Sequence, residues 1–236
     1  MQSLGRASQL PTYYIMNRSR LAGLFLLSTA LTSGLLAQIT WDFTSATTPS
    51  SELPAGLISA SIAQFNTTTT GVNSTSASSG YTGATGGNNM AFSAKNGALD
   101  TGSSTYFEVT LTPGSGHGLN LSAITFGSRS TSTGPTTLTL FLSTNLTGSI
   151  GSATASADSN WVLHSFSDLS ITSAQDTPLI FRIYGTGGTT SPTANWRIDD
   201  LSLSVSAVPE PSAFAVLGGL ATLGFAATRR RRRLAA

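Results

Sequence analysis

Two adjacent carboxylates, Asp199 and Asp200, are the side chains of this chain best placed to bind an ion. Ca²⁺ accepts carboxylate and backbone oxygens together, so this pair predicts a calcium site, and calcium is the one cofactor that the residues suggest. The alternative is that either carboxylate forms a surface ion pair with Arg197 or Arg182 on neighbouring strands. We favour the ion pair as the interpretation of these residues.

Aromatic side chains suggest a second kind of chemistry, the stacking of sugar rings. Tyr106 and Tyr184 occupy outward positions in two segments with strand-like alternation, and Arg182 shares that face. Together with Trp196 they predict a binding surface for extracellular polysaccharide. Tryptophans of β-sandwiches also commonly belong to the core, which is the alternative for Trp196.

No group of residues predicts catalysis. The chain has two histidines, His117 and His164, and neither has an acidic or cysteine partner at the spacing of a zinc site. A glycoside hydrolase would need two carboxylates about 5 to 9 Å apart on one concave face, and the acids here fall mostly in turns. We therefore predict a protein that is not an enzyme, with a secreted carbohydrate-active enzyme as the alternative.

The elements that would carry these residues are β-strands. Three segments, 105–113, 136–143 and 178–185, alternate apolar and polar side chains with the period of a half-buried strand. Short connections rich in Gly, Pro, Ser and Asn, without intervening helices, predict an all-β antiparallel β-sandwich of jelly-roll-like topology over residues 38–207. Six further strands are predicted at 39–43, 57–65, 90–94, 119–128, 161–166 and 196–206.

The last predicted strand contains a change of alternation. Trp196 and Ile198 share one parity, whereas Leu201 and Leu203 share the other. A β-bulge at residues 199–200 would let both sets of apolar side chains face the core. The two adjacent carboxylates would then lie at an irregularity of the strand.

A long polar segment at residues 66–89 contains four consecutive threonines, repeated serines and five glycines. Loops of this length are either functional or disordered. Because the segment has no aromatic cluster, we predict a long mobile loop and favour disorder over function. Tyr81 is the one residue in it that we expect to be able to serve a ligand.

The N-terminal residues predict an exported protein. Two arginines precede an uncharged run at 21–36 that is rich in Leu and Ala, and Ala37 offers a small residue for cleavage before Gln38. This pattern predicts a secretory signal peptide at residues 1–37, which signal peptidase would remove. A shorter signal peptide that begins at Met16 fits the pattern equally well.

The C-terminal residues 208–236 combine three features of a sorting tail. Pro209, Glu210 and Pro211 disfavour continuation of a strand and predict an extended spacer. The apolar run at 213–227 would form a helix roughly 22 Å long, which is short against a hydrocarbon core of about 30 Å. Consecutive arginines follow, which resist translocation and keep that end in the cytoplasm. They are Arg229, Arg230, Arg231, Arg232 and Arg233.

This tail resembles the PEP-CTERM sorting signal of Gram-negative bacteria, with residues 209–211 as the motif, a Gly-containing apolar helix and a terminal Arg cluster. In that family an exosortase in the membrane cuts near the motif and passes the protein to the outer envelope, the cell surface or the extracellular matrix. The resemblance implies transient anchoring in the inner membrane by a single short transmembrane helix before processing. A tail anchor that is never cut is the alternative.

The part of the chain between the two ends also resembles the single β domain of many verrucomicrobial PEP-CTERM proteins. That likeness implies a sandwich displayed at the surface and supplies no activity. The segments that carry it are 41–43, 105–113, 119–135, 181–185 and 196–204.

The distribution of charge excludes nucleic acid as a partner. Eight of the twelve basic residues lie in the two end segments, which leaves four against nine acids between residues 38 and 207. This part therefore carries a formal charge of about −5, with no basic patch to meet phosphates. Beyond signal peptidase, exosortase and the membrane, polysaccharide is the partner that the sequence predicts.

Overall fold

Two sheets of a β-sandwich make up most of this protein. The structure is a computed structural model, and it describes residues 36–44, 47–68, 70–95, 97–189, 194–209, 218–221 and 223–224. Within them the chain forms twelve β-strands in one seven-stranded and one five-stranded sheet, and every strand pair is antiparallel. The predicted antiparallel sandwich is thus confirmed.

The larger sheet is built around two long strands, β6 and β12. Its members are β1 (Ala37–Trp41), β3 (Thr70–Asn73), β4 (Asn89–Ser93), β6 (His117–Ser130), β9 (Trp161–Phe166), β10 (Ile171–Thr172) and β12 (Asn195–Pro209). The smaller sheet has the order β2-β5-β11-β7-β8. Its strands are β2 (Leu57–Phe65), β5 (Tyr106–Pro113), β7 (Thr137–Leu142), β8 (Asn145–Thr154) and β11 (Leu179–Thr186).

All nine predicted strands are present, and three further strands were not predicted. β8 is an edge strand with few buried side chains and two glycines, so its sequence lacks an alternating apolar pattern. β10 has only two residues, and β3 lies inside the segment that we expected to be a mobile loop. These strands depend on their neighbours for pairing rather than on their own sequence pattern.

The predicted bulge in β12 is confirmed, because the register between β12 and β6 shifts between Asp199 and Ser202. Before the bulge β12 pairs with β4, and after it β12 pairs with β1. Trp196 and Leu203, from the two parities of the strand, are both fully buried in the core. The extra residue therefore lets the apolar side chains of both halves of the strand face the core.

The last strand is longer than the sequence predicted. Val208 and Pro209 continue β12, where Pro209 lies opposite His117, although we expected the spacer to begin there. A proline at the end of a strand loses no hydrogen bond further along the ladder, so this position tolerates it. At the other end of the chain, the predicted cleavage residue Ala37 is the first residue of β1 and lies opposite Val205.

Most of the predicted targeting segments lie outside the described residues. These include the signal peptide as far as residue 35, Glu210 and Pro211, and the arginines at 229–233. Of the apolar run at 213–227, residues 218–221 and 223–224 are described and are helical. Within the described ranges, no helix has both the length and the hydropathy needed to cross a bilayer.

Candidate functional site

The bulge in β12 gives its two carboxylates different surroundings. Asp199 is completely buried, whereas Asp200 is partly exposed and contacts residues of the 74–88 segment. Asp200 has a φ of 49°, in the left-handed region that Asp tolerates better than most residues. The bulge therefore presents one carboxylate to the segment that lies over the outer face of the seven-stranded sheet.

Asp200 fixes the 74–88 segment through hydrogen bonds from three of its residues. The Ser78 hydroxyl donates to Asp200 Oδ2 over 3.0 Å, and the Tyr81 hydroxyl donates to the same oxygen. Thr85 donates its hydroxyl and, over 3.3 Å, its backbone N–H to Asp200 Oδ1. Hydrogen bonds to a charged acceptor are stronger than neutral ones, so this one carboxylate orders the segment. The prediction of a mobile, disordered loop is wrong here.

Tyr81, the residue singled out in this segment, lies directly on the sheet. A Cβ atom at Gly127 in β6 would overlap the Tyr81 hydroxyl, so this close approach requires glycine at position 127. Burial, and then the hydrogen bond to Asp200, raise the pKa of Tyr81. The Tyr81 ring lies 6.5 Å from the ring of Trp161, whose indole N–H donates to the Ser76 carbonyl over 3.1 Å.

Asp199 is a buried carboxyl group with one satisfied oxygen. Its Oδ1 accepts the backbone N–H of Asp200 over 2.8 Å, whereas its Oδ2 has no hydrogen-bond partner among the described residues. Burial, and then the charge of Asp200, raise the pKa of Asp199 to about 7. At neutral pH this side chain is therefore a mixture of the neutral and the charged form.

The ion pair that we favoured for these carboxylates is wrong, because both arginines have other partners. Arg182, in the other sheet, donates its Nε–H to Glu108 Oε2 over 2.8 Å. Arg197 donates from Nη1 to Asn73 Oδ1 over 2.6 Å and to Asn89 Oδ1 over 2.7 Å. Neutral amide oxygens of β3 and β4 therefore take the place of a carboxylate.

The calcium site predicted at Asp199 and Asp200 gains no further acidic ligand from the fold. In the part of the chain that the structure describes, no group of three or more His, Cys, Asp or Glu side chains is placed to hold a metal ion. Ca²⁺ takes six to eight oxygen ligands in proteins. Both Asp200 oxygens already accept hydrogen bonds, so calcium stays a prediction that this geometry does not favour.

Four hydroxyl side chains form a row across the outer face of the seven-stranded sheet. The row is Thr40, Ser202, Thr125 and Ser165, on β1, β12, β6 and β9, and each residue lies opposite the next in the strand register. Side chains that are directly opposite in register share a face of the sheet. We call this set the hydroxyl row.

The hydroxyl row lines a cavity of about 430 Å³, which we call the hydroxyl cleft. Tyr81, Thr85 and Asp200 form one part of its lining, and Gln38 and the exposed Leu163 form another. Gln38 donates its side-chain N–H to the Ser202 hydroxyl over 2.6 Å. The cleft thus combines hydroxyl, amide and carboxylate groups with two aromatic side chains, Trp41 and Tyr81, and one aliphatic side chain, Leu163.

The aromatic surface predicted from Tyr106, Tyr184 and Trp196 does not exist as an open platform. Tyr106 and Tyr184 do share the outer face of the five-stranded sheet, but they are only 8% and 0% exposed. The Tyr184 hydroxyl donates to the Thr101 carbonyl over 2.9 Å, from a segment that alternation could not place. Trp196 belongs to the core, where it packs against Phe92 at 5.1 Å. Fully buried rings cannot stack on a sugar.

No family model matches the chain, and no curated protein matches it. Similar solved structures include the K2 cleaved adhesin domain of Lys-gingipain, which is 15% identical, with 71% of this chain and 99% of that chain covered and a TM-score of 0.40. A structure described as CBM4 is 13% identical over 72% of this chain and 86% of that one, with a TM-score of 0.38. TmCBM61, solved in complex with beta-1,4-galactotriose, is 10% identical over 64% and 88%, with a TM-score of 0.33. TM-scores below 0.5 are too low to argue a shared function.

Proposed function

We propose that this protein is an exported polysaccharide-binding protein, whose sandwich, of jelly-roll-like topology, binds glycan in the hydroxyl cleft. The observation that carries the proposal is the hydroxyl row beneath Tyr81 and Asp200. Sugar hydroxyl groups act as both donors and acceptors, and serine and threonine hydroxyls can complement either role. Because Asp200 already fixes the wall of the cleft, little conformational entropy is lost when a ligand binds.

The proposal prefers binding to hydrolysis, although two carboxylates line the cleft. Asp42 and Asp200 are both there, and paired carboxylates are what a glycoside hydrolase would need. Asp200 is occupied by the 74–88 segment, and Asp42 Oδ1 accepts the Thr44 N–H over 3.0 Å. Asp199 has a raised pKa but no exposed surface, so it cannot reach a glycosidic oxygen. We therefore expect no release of reducing sugar from any glycan that binds.

Affinity electrophoresis of the full-length chain in neutral polysaccharides tests the binding site. Thr125→Val removes a hydroxyl from the row with little change of shape, and we expect it to weaken binding about 2-fold to 10-fold. Thr110→Val is the matched control, since Thr110 lies in β5 of the other sheet, and it should bind as the wild type does. Unaltered mobility of the wild type in every glycan would overturn the proposal, as would equal binding by both variants.

We further propose that the chain is a PEP-CTERM protein, sorted by an exosortase to the surface or extracellular matrix of a Gram-negative bacterium. Its support is the order of motif, apolar run and Arg cluster at 209–211, 213–227 and 229–233. Pro209, the first residue of the motif, is also the last described residue of β12. Mass spectrometry of the mature C-terminus, with and without exosortase, tests this. An intact Arg cluster in the surface form would contradict it.

A further inference from the structure

A second cavity, of about 460 Å³, lies beside the same segment that walls the hydroxyl cleft. Gly80 lines this cavity, and the next residue, Tyr81, lines the hydroxyl cleft. We call it the Arg129 cavity after its one charged lining residue. Its other polar or aromatic lining residues include Ser76, Ser79, Ser159, Asn160 and Trp161.

Arg129 is held in place through the Nε atom of its guanidinium group. Its Nε–H donates to the Ser159 carbonyl over 2.7 Å. Its two terminal nitrogens make no hydrogen bond to any described residue, and the side chain is partly exposed. A guanidinium fork that is fixed at Nε is oriented to bind a planar or tetrahedral oxyanion.

The charge around Arg129 is positive and has no acidic counterpart in the cavity. The residue opposite Arg129 in the strand register is Arg197, whose pKa is lowered by burial and then by the charge of Arg129. No carboxylate is among the lining residues. The neighbouring Asp158 is already engaged, since its Oδ1 accepts the Asn160 backbone N–H over 2.9 Å. Two like charges lie side by side on a domain that is otherwise acidic, which favours an anion at this point.

The walls of the Arg129 cavity are set before any ligand arrives. Ser76 and Ser159 have φ values of 57° and 66°, in the left-handed region, which turns the chain at both sides of the cavity. The Trp161 indole bonds the Ser76 carbonyl, which ties one wall to β9. A pre-formed site avoids the entropic cost of ordering its loops on binding.

We propose that the Arg129 cavity binds an anionic substituent, a uronate carboxylate or a sulfate ester, on the polysaccharide that the hydroxyl cleft holds. The inference rests on the proposed function, because Gly80 lines the cavity and its neighbour in the chain, Tyr81, lines the cleft. A glycan in the cleft needs to extend only past this segment to bring a charged group to Arg129. The preferred ligand class is thus an acidic polysaccharide, even though the domain carries net negative charge.

Two matched pairs of polymers test the inference with the full-length chain in non-ionic detergent. Polygalacturonate is compared with its methyl ester, and dextran sulfate is compared with dextran. We expect the acidic member of at least one pair to bind about 10-fold to 100-fold more tightly, with a preference that falls as salt rises. The pair that responds identifies the anion as a carboxylate or a sulfate ester.

Arg129→Gln should abolish this preference and leave binding to the neutral member unchanged. The matched control is Arg182→Gln on the other outer face, where Glu108 already neutralises the arginine, and it should keep the preference. If Arg129→Gln lowers the melting temperature, Asn160→Asp decides instead. This exposed, nearly isosteric change adds a carboxylate to the lining and should abolish the preference in the same way.

Equal binding of acidic and neutral polymers overturns the inference and leaves the proposed function standing. A preference that survives Arg129→Gln, or that survives Asn160→Asp where that variant decides, also overturns it. Failure to bind any polymer, neutral or acidic, overturns the proposed function and the inference together.

Discussion

Each outer face of the sandwich carries an arginine beside aromatic rings. The two arginines differ in whether a carboxylate neutralises them. On the five-stranded sheet Arg182 is paired with Glu108, and its guanidinium carbon lies 4.6 Å from the centre of the Tyr106 ring. On the seven-stranded sheet Arg129 has no carboxylate partner in the described residues, and Trp161 lines the same cavity. One face is closed on itself, and the other keeps space and charge for a ligand.

The strand register explains the difference between the faces. Arg182 lies opposite Glu108, so antiparallel pairing alone brings opposite charges together. Arg129 lies opposite Arg197, so the same kind of pairing brings like charges together, which is destabilising unless other groups compensate. Amide and carbonyl oxygens accept hydrogen bonds from Arg197 Nη1, whereas Arg129 faces a cavity. Residue types alone therefore do not predict which arginine has a carboxylate partner, whereas the residue across the ladder does.

The largest expected effect concerns Asp199, which has no counterpart on the five-stranded face. Its folded-state pKa, about 7, lies above the ordinary value of 3.8, so the folded protein binds the proton more tightly than the unfolded chain. The stabilisation that the Asp199 proton gives to the folded state is fully present below about pH 4 and is lost as pH rises through 7. The free energy of unfolding of the wild type, relative to Asp199→Asn, should fall by up to about 4 kcal/mol between pH 4 and pH 8.

Chemical denaturation across that pH range measures the Asp199 effect. Asp158→Asn is the control, because hydrogen bonds from Asn160 lower the pKa of Asp158 and place its titration below this window. A constant difference between the wild type and Asp199→Asn from pH 4 to pH 8 would contradict the buried, raised-pKa carboxyl.

The second effect is the release of the 74–88 segment by Asp200→Asn. Asparagine tolerates the left-handed φ of 49°, so the change removes chiefly the charge that accepts three side-chain hydrogen bonds. We expect a loss of about 1.5 to 3 kcal/mol and faster hydrogen exchange in the segment. Asp168→Asn, at an exposed position with a φ of 57°, should change stability by less than about 0.5 kcal/mol. Unchanged exchange in Asp200→Asn would show that the segment is ordered by something else.

The third effect tests the contact between Tyr81 and the sheet. Gly127→Ala would push the Tyr81 hydroxyl away from Asp200, at an overpacking cost of about 1 to 3 kcal/mol. Gly71→Ala, in β3 of the same sheet, is the control, since its new methyl group would have no neighbour within 4 Å. Thermal unfolding gives the costs, and glycan affinity should fall only in Gly127→Ala. Equal stability of the two variants would refute the close approach of Tyr81.

The smallest effect is expected from the closed face. Arg182→Gln breaks the ion pair with Glu108, whose two side chains are about one-fifth exposed, and should cost about 1 kcal/mol or less. A double-mutant cycle with Glu108→Gln isolates the coupling between the two side chains. A coupling well above 1 kcal/mol, or a loss of glycan binding, would remove the contrast between the faces.

Local pattern predicted the sandwich and its bulge correctly. The change of parity between Ile198 and Leu201 was enough to place the bulge, because each half of the strand must bury its own apolar face. Alternation also placed Tyr184 on an outer face, but it carries no information about the segment at Thr101 that covers the ring. A period of two residues reports the face of a sheet and not what lies above it.

The candidate site was hidden because its parts are far apart in the sequence. Tyr81 and Asp200 are separated by 119 residues, so the sequence does not show that they meet. Without Asp200 in view, the 74–88 segment has only the composition of a disordered loop. The hydroxyl row draws single residues from four strands that are dispersed between positions 40 and 202. Two signals were present in the sequence: a tyrosine within the polar segment, and two acids at the predicted bulge.

The position of β12 at the centre of the larger sheet has a consequence for the timing of folding. β1 pairs with β12 and with no other described strand, and Gln38 and Ser202 are 164 residues apart. Synthesis from the N-terminus therefore delivers β1 long before its partner exists, and such distant pairings form slowly. The larger sheet can close only when residues 195–209 have emerged. Until then the chain stays incompletely folded, the state in which a polypeptide can still be threaded through a narrow channel.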